Sequence, residues 1–163
     1  MKLTKAEQQE WLRQHIPHRV GGSIACTEVL DEKIAASGAV IDQGAVRNRC
    51  ANHAIWEGRF AATRWLIEFV GVSMDKHGEP TRPHHGDFSA RIDNFEGGML
   101  FDLSTPEAKK LAKIWLGCTQ ATSHATHGSN HPSIRDPERN EALRIIWSHL
   151  ENTIYRGTGV SMI

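Results

Sequence analysis

The chain has 163 residues, of which 39% are hydrophobic and 23% are charged, with 19 basic and 19 acidic side chains. This size and balance predict one domain over residues 1–163 with a sizeable core. The near-zero net charge excludes a general polyanion binder but not a local basic patch. No run of about 18 apolar residues occurs. We therefore expect no membrane association. The polar N-terminus, and three cysteines that are odd in number and lack CxxC spacing, favour the cytoplasm.

The N-terminal segment predicts a helix that begins after a capping box. Thr4-Lys5-Ala6-Glu7 has the spacing in which the threonine hydroxyl and the glutamate carboxylate satisfy free backbone N–H groups reciprocally. Pro17 should end this helix near Ile16, with a turn over "PHRVGG". A second, moderately helical stretch follows over 24–37, and Gly38 is its expected stop.

The strongest helical pattern runs from about Asp42 to Val70. Its apolar positions recur at steps of four and three residues, which places them on one stripe of the helix. The members of this stripe are Trp56, Phe60, Thr63, Ile67 and Val70. We expect the stripe to face the core.

Polar side chains also occur on this helix. Arg49, Asn52 and Arg59 project towards the core stripe, where they form either a structural ion-pair network or a polar pocket between helices. Glu57, Arg64 and Glu68 lie on the opposite side, and their spacing favours a solvated charge ladder. The residues assigned to a candidate polar pocket are Arg49, Asn52, Glu57, Arg59 and Arg64.

The second half of the chain predicts a long irregular loop and two further helices. Residues 72–103 contain the Pro-, Gly- and His-rich stretch "DKHGEPTRPHHGD" and either a short hairpin around 96–98 or an ordered loop. A helix should begin at Ser104, with a capping box to Glu107, and end near Gly128. The last should run from Asp136 to about Arg156. The expected fold is all-α, a four- to five-helix bundle with one long irregular loop, about 72–103.

Three histidines occur in the stretch "SHATHGSNHP", at 124, 127 and 131. They can be polar residues on a solvated face near a helix end, where positive charge is mildly favourable. They can also be acid–base groups, because histidine titrates near neutrality. No cofactor is expected, but a transition-metal ion such as zinc, held by His124, His127 and His131, is an alternative.

A pattern around Glu57 and "TRWLIEF" (63–69) resembles E…RxLIxF, a feature of small uncharacterised bacterial helical proteins. In those proteins a later helix carries a histidine–threonine motif, here His124-Ala125-Thr126, and the last helix carries a tryptophan, here Trp147. They are similar to the wider HEPN group, which includes metal-independent ribonucleases of toxin and phage-defence systems. The HEPN motif, Arg–polar–x(3–5)–His, has a counterpart in "RNRCANH" (47–53).

The resemblance implies a helical bundle with RNA as a possible partner. In the HEPN group the motif usually lies near the start of the last helix, whereas here it begins an earlier one. That departure suits a HEPN-like module that dimerises or binds a partner without catalysis. The alternatives are a metal-independent ribonuclease of toxin or defence type and a metal-binding hydrolase. The candidate catalytic residues are Arg47, His53, His124 and His127.

Overall fold

The computed structural model describes residues 3–17, 19–20, 58–84, 91–123, 136–156, 158 and 160. In these ranges the chain is largely helical, and the only β-structure described is one pair of two-residue strands. The helices are α1 (Lys5–Glu10, continued by a π-helical turn, Trp11–His15), α2 (58–69), α3 (Pro106–Ser123) and α4 (Asp136–Asn152). The predicted helix over 24–37 and the first part of the long helix lie outside the described residues.

Helix α1 begins as the sequence predicts but does not stop at Pro17. The Thr4 hydroxyl accepts a hydrogen bond from the Glu7 N–H, and the Glu7 carboxylate accepts one from the Thr4 N–H. The prediction that the proline ends the helix is wrong, because residues 16–17 and 19–20 are helical. The π-helical turn explains the difference. Ile16 N–H donates to the Trp11 carbonyl, one residue further back than in an α-helix, and this wider turn accommodates a proline ring.

Helix α2 confirms the predicted apolar stripe as far as it is described. Phe60, Thr63, Ile67 and Val70 are all at most 1% exposed, whereas Trp56 lies outside the described residues. The helix ends at residue 69, close to the predicted end, and a turn with Gly71 at φ +85° follows. One stripe therefore fixes how α2 faces the core.

The described parts of the segment 72–103, residues 72–84 and 91–103, contain more regular structure than their composition predicts. Strands β1 (Ser73–Met74) and β2 (Pro80–Thr81) form an antiparallel hairpin, and a 3-10 turn spans Ile92–Asn94. The hairpin spans 73–81 and so lies before the site suggested for it at 96–98, where the chain instead forms an ordered turn. Its connection is built by Asp75, whose carboxylate accepts from the N–H groups of residues 77 and 79, and by Gly78 at φ +86°.

Both later helices begin with a proline in the first turn. In α3 the cap is Thr105, whose hydroxyl accepts from Ala108 N–H, so the predicted Ser104–Glu107 capping box is wrong. Ser104 instead donates to the Asp102 carboxylate. Helix α4 begins at Asp136 as predicted but ends at Asn152, four residues before the expected end. It ends there because the N–H groups of residues 153 and 155 both turn back to the Leu150 carbonyl.

A single hydrophobic cluster joins all four helices and the loop. It includes Ile16 from α1, Leu66 from α2, Ile92 from the 3-10 turn, Leu111 from α3 and Leu150 from α4, each fully buried. Lys110 of α3 also forms an ion pair with Glu141 of α4 at 2.6 Å, which joins these two helices at the surface.

We expect stability to fall in acid because of His149. Its Nε2 lies 2.7 Å from the Met99 carbonyl oxygen, and its ring is 4.9 Å from that of Phe101. Burial lowers the pKa of His149, and the hydrogen bond to Met99 opposes this only in part. The unfolded chain therefore binds this proton more readily than the folded one. The contribution of His149 to the free energy of unfolding is intact above about pH 6.5, the pKa in the unfolded chain, and is lost as the pH falls through the lower pKa of the folded protein. Urea denaturation across this range should show a smaller acid loss in His149→Gln. An equal loss in both proteins would contradict the assignment.

Candidate functional site: an arginine cluster between helices

The predicted site residues are only partly covered by the structure. Arg59 and Arg64 lie on α2 and are described. The remaining predicted positions lie outside the described residues: Arg47, Arg49, Asn52, His53, Glu57, His124, His127 and His131. Their assignments as catalytic, pocket or metal-binding residues therefore stay predictions, and the site is built here from the residues around the two arginines.

Arg59 lies on the core-facing side of α2, as its spacing predicts. Only 5% of the residue is exposed, and its guanidinium carbon is 5.2 Å from the centre of the Phe60 ring. A buried guanidinium keeps its charge, since arginine is not deprotonated in proteins. Arg59 therefore brings a permanent positive charge into the interior next to the core.

Arg64 does not belong to a solvated ladder, as its sequence spacing suggested. Its Nε donates to Glu68 Oε1 at 2.8 Å, and the same oxygen accepts from Trp115 Nε1 at 2.7 Å. The Arg64 guanidinium also lies 5.5 Å from the Trp115 ring, a cation–π distance. The two charged side chains are 36% and 21% exposed. This arrangement links α2 to α3 and leaves Arg64 as its accessible group.

A third arginine comes from α4 and was not found by sequence reasoning. Arg139 is 1% exposed and is the largest of the fully buried side chains, and its Nη2 donates to Asn140 Oδ1 at 3.2 Å. Arg139, Ala142 and Ile146 are spaced i, i+3 and i+7, so they lie on one face of the helix, and the other two are also buried. The same periodicity that placed Arg59 would have identified it.

The charges of all three arginines act on one thiol, that of Cys118, which is buried. Burial raises the pKa of Cys118, on α3, to about 12, and the positive charges of Arg139, Arg64 and Arg59 act in the opposite direction. Each guanidinium is thus close enough to act electrostatically on the same sulfur atom. The thiol nonetheless stays protonated at neutral pH, so it is neither an activated nucleophile nor a ready metal ligand. We call Arg59, Arg64 and Arg139 the arginine cluster.

The cluster provides cationic hydrogen-bond donors rather than acid–base groups. A guanidinium presents five N–H donors in a planar fork that matches the oxygens of a phosphate or carboxylate. In a partly buried setting such contacts are stronger than at a solvated surface. The chemistry that this arrangement supports is recognition of an anionic group, with Trp115 providing an aromatic surface beside Arg64.

The helix face that leads to the histidine segment is not fully solvated. Helical spacing at about 100° per residue predicts that Lys113, Gln120, His124 and His127 share the side of α3 opposite its core stripe. Lys113 is exposed as expected. Gln120 is only partly exposed, and its Oε1 is buried without a hydrogen bond to any residue in the described ranges. The solvated-face interpretation of the three histidines stays a prediction, because His124, His127 and His131 lie outside the described residues.

The described part of the chain contains no group of three or more His, Cys, Asp or Glu side chains that could hold a metal ion. The histidine segment lies outside that part, so the predicted zinc alternative stays a prediction. Trp65 is half-buried and stacks on Trp11 and Phe69, at ring distances of 6.0 and 5.1 Å, so it joins α2 to α1.

Among the described residues, no helix combines the length and apolar character that a membrane crossing requires. Comparison with known proteins assigns the chain to no family. No family model matches the chain, and neither does any curated protein or solved structure.

Proposed function

We propose that this protein is a HEPN-like bundle of four to five helices that binds a phosphate-bearing partner, RNA, through the arginine cluster without cleaving it. It would act in the cytoplasm as a monomer or homodimer. The observation that carries the proposal is the partly exposed Arg64, whose guanidinium lies 5.5 Å from the Trp115 ring, with the buried Arg59 and Arg139 adding positive charge in the interior.

Arg64 is the group that a ligand would meet first. Its side chain is about one-third exposed, in contrast to the buried Arg59 and Arg139. The Trp115 ring beside it offers a surface on which an unpaired base can stack, as in other proteins that bind single-stranded nucleic acid. A chain with no net charge suits recognition by one local cluster rather than by a broad basic surface.

Glu68 lowers the affinity of this site for an anion, because its carboxylate forms an ion pair with Arg64 at 2.8 Å and accepts a hydrogen bond from Trp115. A phosphate that approaches Arg64 must compete with that carboxylate and is repelled by it. Replacing Glu68 by glutamine removes the negative charge and keeps an oxygen that can accept from the Trp115 indole. The two neighbours on α2 should therefore have opposite effects on the binding of an anion.

We expect Arg64→Gln to weaken binding of single-stranded RNA about tenfold, the scale of one charge-assisted hydrogen bond. Glu68→Gln should tighten it. Arg144→Gln is the matched control, since Arg144 is an exposed arginine on α4 outside the cluster, and its effect should stay below about twofold. Fluorescence anisotropy at one fixed salt concentration measures all three. Equal weakening by Arg64→Gln and Arg144→Gln would overturn the proposal, because it would indicate nonspecific attraction.

The ribonuclease alternative is supported by chain connectivity, since α3, which carries Trp115 and Cys118, leads directly into the histidine segment. In that case Arg47, His53, His124 and His127 would supply the acid, the base and phosphate contacts. Incubation of the wild type with labelled RNA separates the two functions. Intact RNA supports the binding module. Cleavage lost in His124→Ala/His127→Ala supports the nuclease, and loss of cleavage with a chelator would identify the metal-dependent form.

A further inference from the structure

A half-open cleft of about 390 Å³ lies between α1 and the end of the described chain. Its walls come from one face of α1, from the turn at 95–97 and, after α4, from residues 153, 154, 156, 158 and 160. A volume of this size lies within the range of small-molecule sites. The cleft contains none of the residues of the arginine cluster, so it is a second candidate site.

Hydrogen bonds between distant parts of the chain hold the cleft open. The Gln8 side chain donates to the Leu3 carbonyl and accepts from the Glu96 N–H, which ties α1 to the turn at 95–97. The Tyr155 hydroxyl donates to the Leu12 carbonyl at 2.7 Å, which ties the chain after α4 to the same helix. The walls are therefore preformed, and a ligand would not have to bear the cost of ordering them.

The cleft follows the length of α1. Lys5, Gln8, Gln9 and Leu12 line it, and their spacing of three, one and three residues places them on one helical face. From Lys5 to Leu12 the helix rises about 10 Å. An extended chain of roughly eight carbon atoms has a similar length. The cleft thus suits an elongated rather than a compact ligand.

The cleft combines an apolar floor with cationic walls. Leu12, Phe95 and Ile154 form the floor and are at most 4% exposed. Lys5 and Arg156 are exposed at its walls, and neither forms an ion pair with another residue in the described ranges. Among the described residues that line the cleft, Glu96 is the single acidic one. The balance favours a ligand with an apolar body and a negative charge.

We propose that this cleft binds a small amphipathic carboxylate, an unbranched acid of about eight carbons. The carboxylate contacts Lys5 and Arg156, and the hydrocarbon chain lies along α1 over Leu12 and Ile154. The binding is independent of RNA, because no residue is shared with the arginine cluster.

Octanoate is the probe, with octylamine as the ligand of opposite charge. In ¹H–¹⁵N NMR titrations of the full chain we expect saturable shifts confined to residues 5–12, 95–97 and 153–160. Lys5→Gln/Arg156→Gln should raise the octanoate Kd about tenfold or more, because two cationic contacts are lost. Lys113→Gln/Arg144→Gln removes the same charge from exposed positions elsewhere and should change the Kd less than about twofold. Gln9→Trp fills the cleft without a charge change and should also abolish the shifts.

Three results would overturn the proposal. One is the absence of saturable shifts at these residues with octanoate. Another is binding of octylamine as tight as that of octanoate, which would show that the cations contribute nothing. The third is equal weakening by the two double variants, which would indicate attraction by overall charge. Thermal denaturation of each variant shows that a lost response does not reflect unfolding.

Discussion

Replacing Gly98 by alanine should lower the free energy of unfolding by about 3 kcal/mol or more, a large effect for one added methyl group. An alanine Cβ at this position would lie 1.8 Å from the Ile92 carbonyl oxygen and 3.2 Å from that of Phe95. Both obstacles are backbone atoms. They are held in place because Phe95 N–H donates to Ile92 and Gly98 N–H donates to Phe95. The backbone of the turn therefore cannot move away from the added methyl group without breaking these hydrogen bonds.

Gly78→Ala is the matched control for this substitution. Gly78 has φ +86°, so alanine is strained there, but apart from its chain neighbours no described residue has an atom within 4 Å of the added Cβ. The expected loss is about 1 kcal/mol, the usual difference for an L-residue in a left-handed conformation. Urea denaturation followed by tryptophan fluorescence compares the two variants. A loss at Gly98 no larger than that at Gly78 would contradict the close approach to Ile92.

Removal of the Tyr155 hydroxyl should cost about 1–3 kcal/mol, because Tyr155→Phe leaves a buried carbonyl unsatisfied. In a helix the Leu12 carbonyl would accept from residue 16 or, in a π-helical turn, from residue 17. Ile16 N–H is bonded to Trp11, and Pro17 has no N–H. The Tyr155 hydroxyl takes their place at 2.7 Å. Burial also raises the pKa of Tyr155, so the hydroxyl keeps its proton well above neutral pH.

The role of the proline makes this prediction specific. In a Pro17→Ala background the chain regains an N–H that can reach the Leu12 carbonyl, so the cost of Tyr155→Phe should be smaller. A double-mutant cycle measured by urea denaturation gives this coupling. The explanation fails if the cost of Tyr155→Phe is the same in both backgrounds.

Local signals in the sequence predicted the parts of the fold that depend on neighbouring residues. The Thr4–Glu7 capping box and the buried stripe of α2 follow from spacing alone. The continuation of α1 past Pro17 did not, because it depends on a π-helical turn. The hairpin at 73–81 was missed because its Pro- and Gly-rich composition also describes an irregular loop, and the turn depends on the side chain of Asp75.

The candidate site shows the same division. The i, i+4 spacing of Arg64 and Glu68 predicts their ion pair, but the third member, Trp115, lies 47 residues further along the chain from Glu68. No local pattern relates the two, so the pair was interpreted as solvated. Arg139 has the periodicity of a core residue and could have been predicted as buried. Its proximity to Cys118 depends on how α3 and α4 pack.

The salt dependence of RNA binding tests the central claim most directly. Each phosphate contact to single-stranded RNA contributes about 0.7 to the slope of log K against log salt concentration. The account predicts that Arg64→Gln makes this slope shallower by about 0.7 and that Arg144→Gln leaves it at the wild-type value. A slope that is unchanged in Arg64→Gln would contradict the account, because it would mean that Arg64 contacts no phosphate.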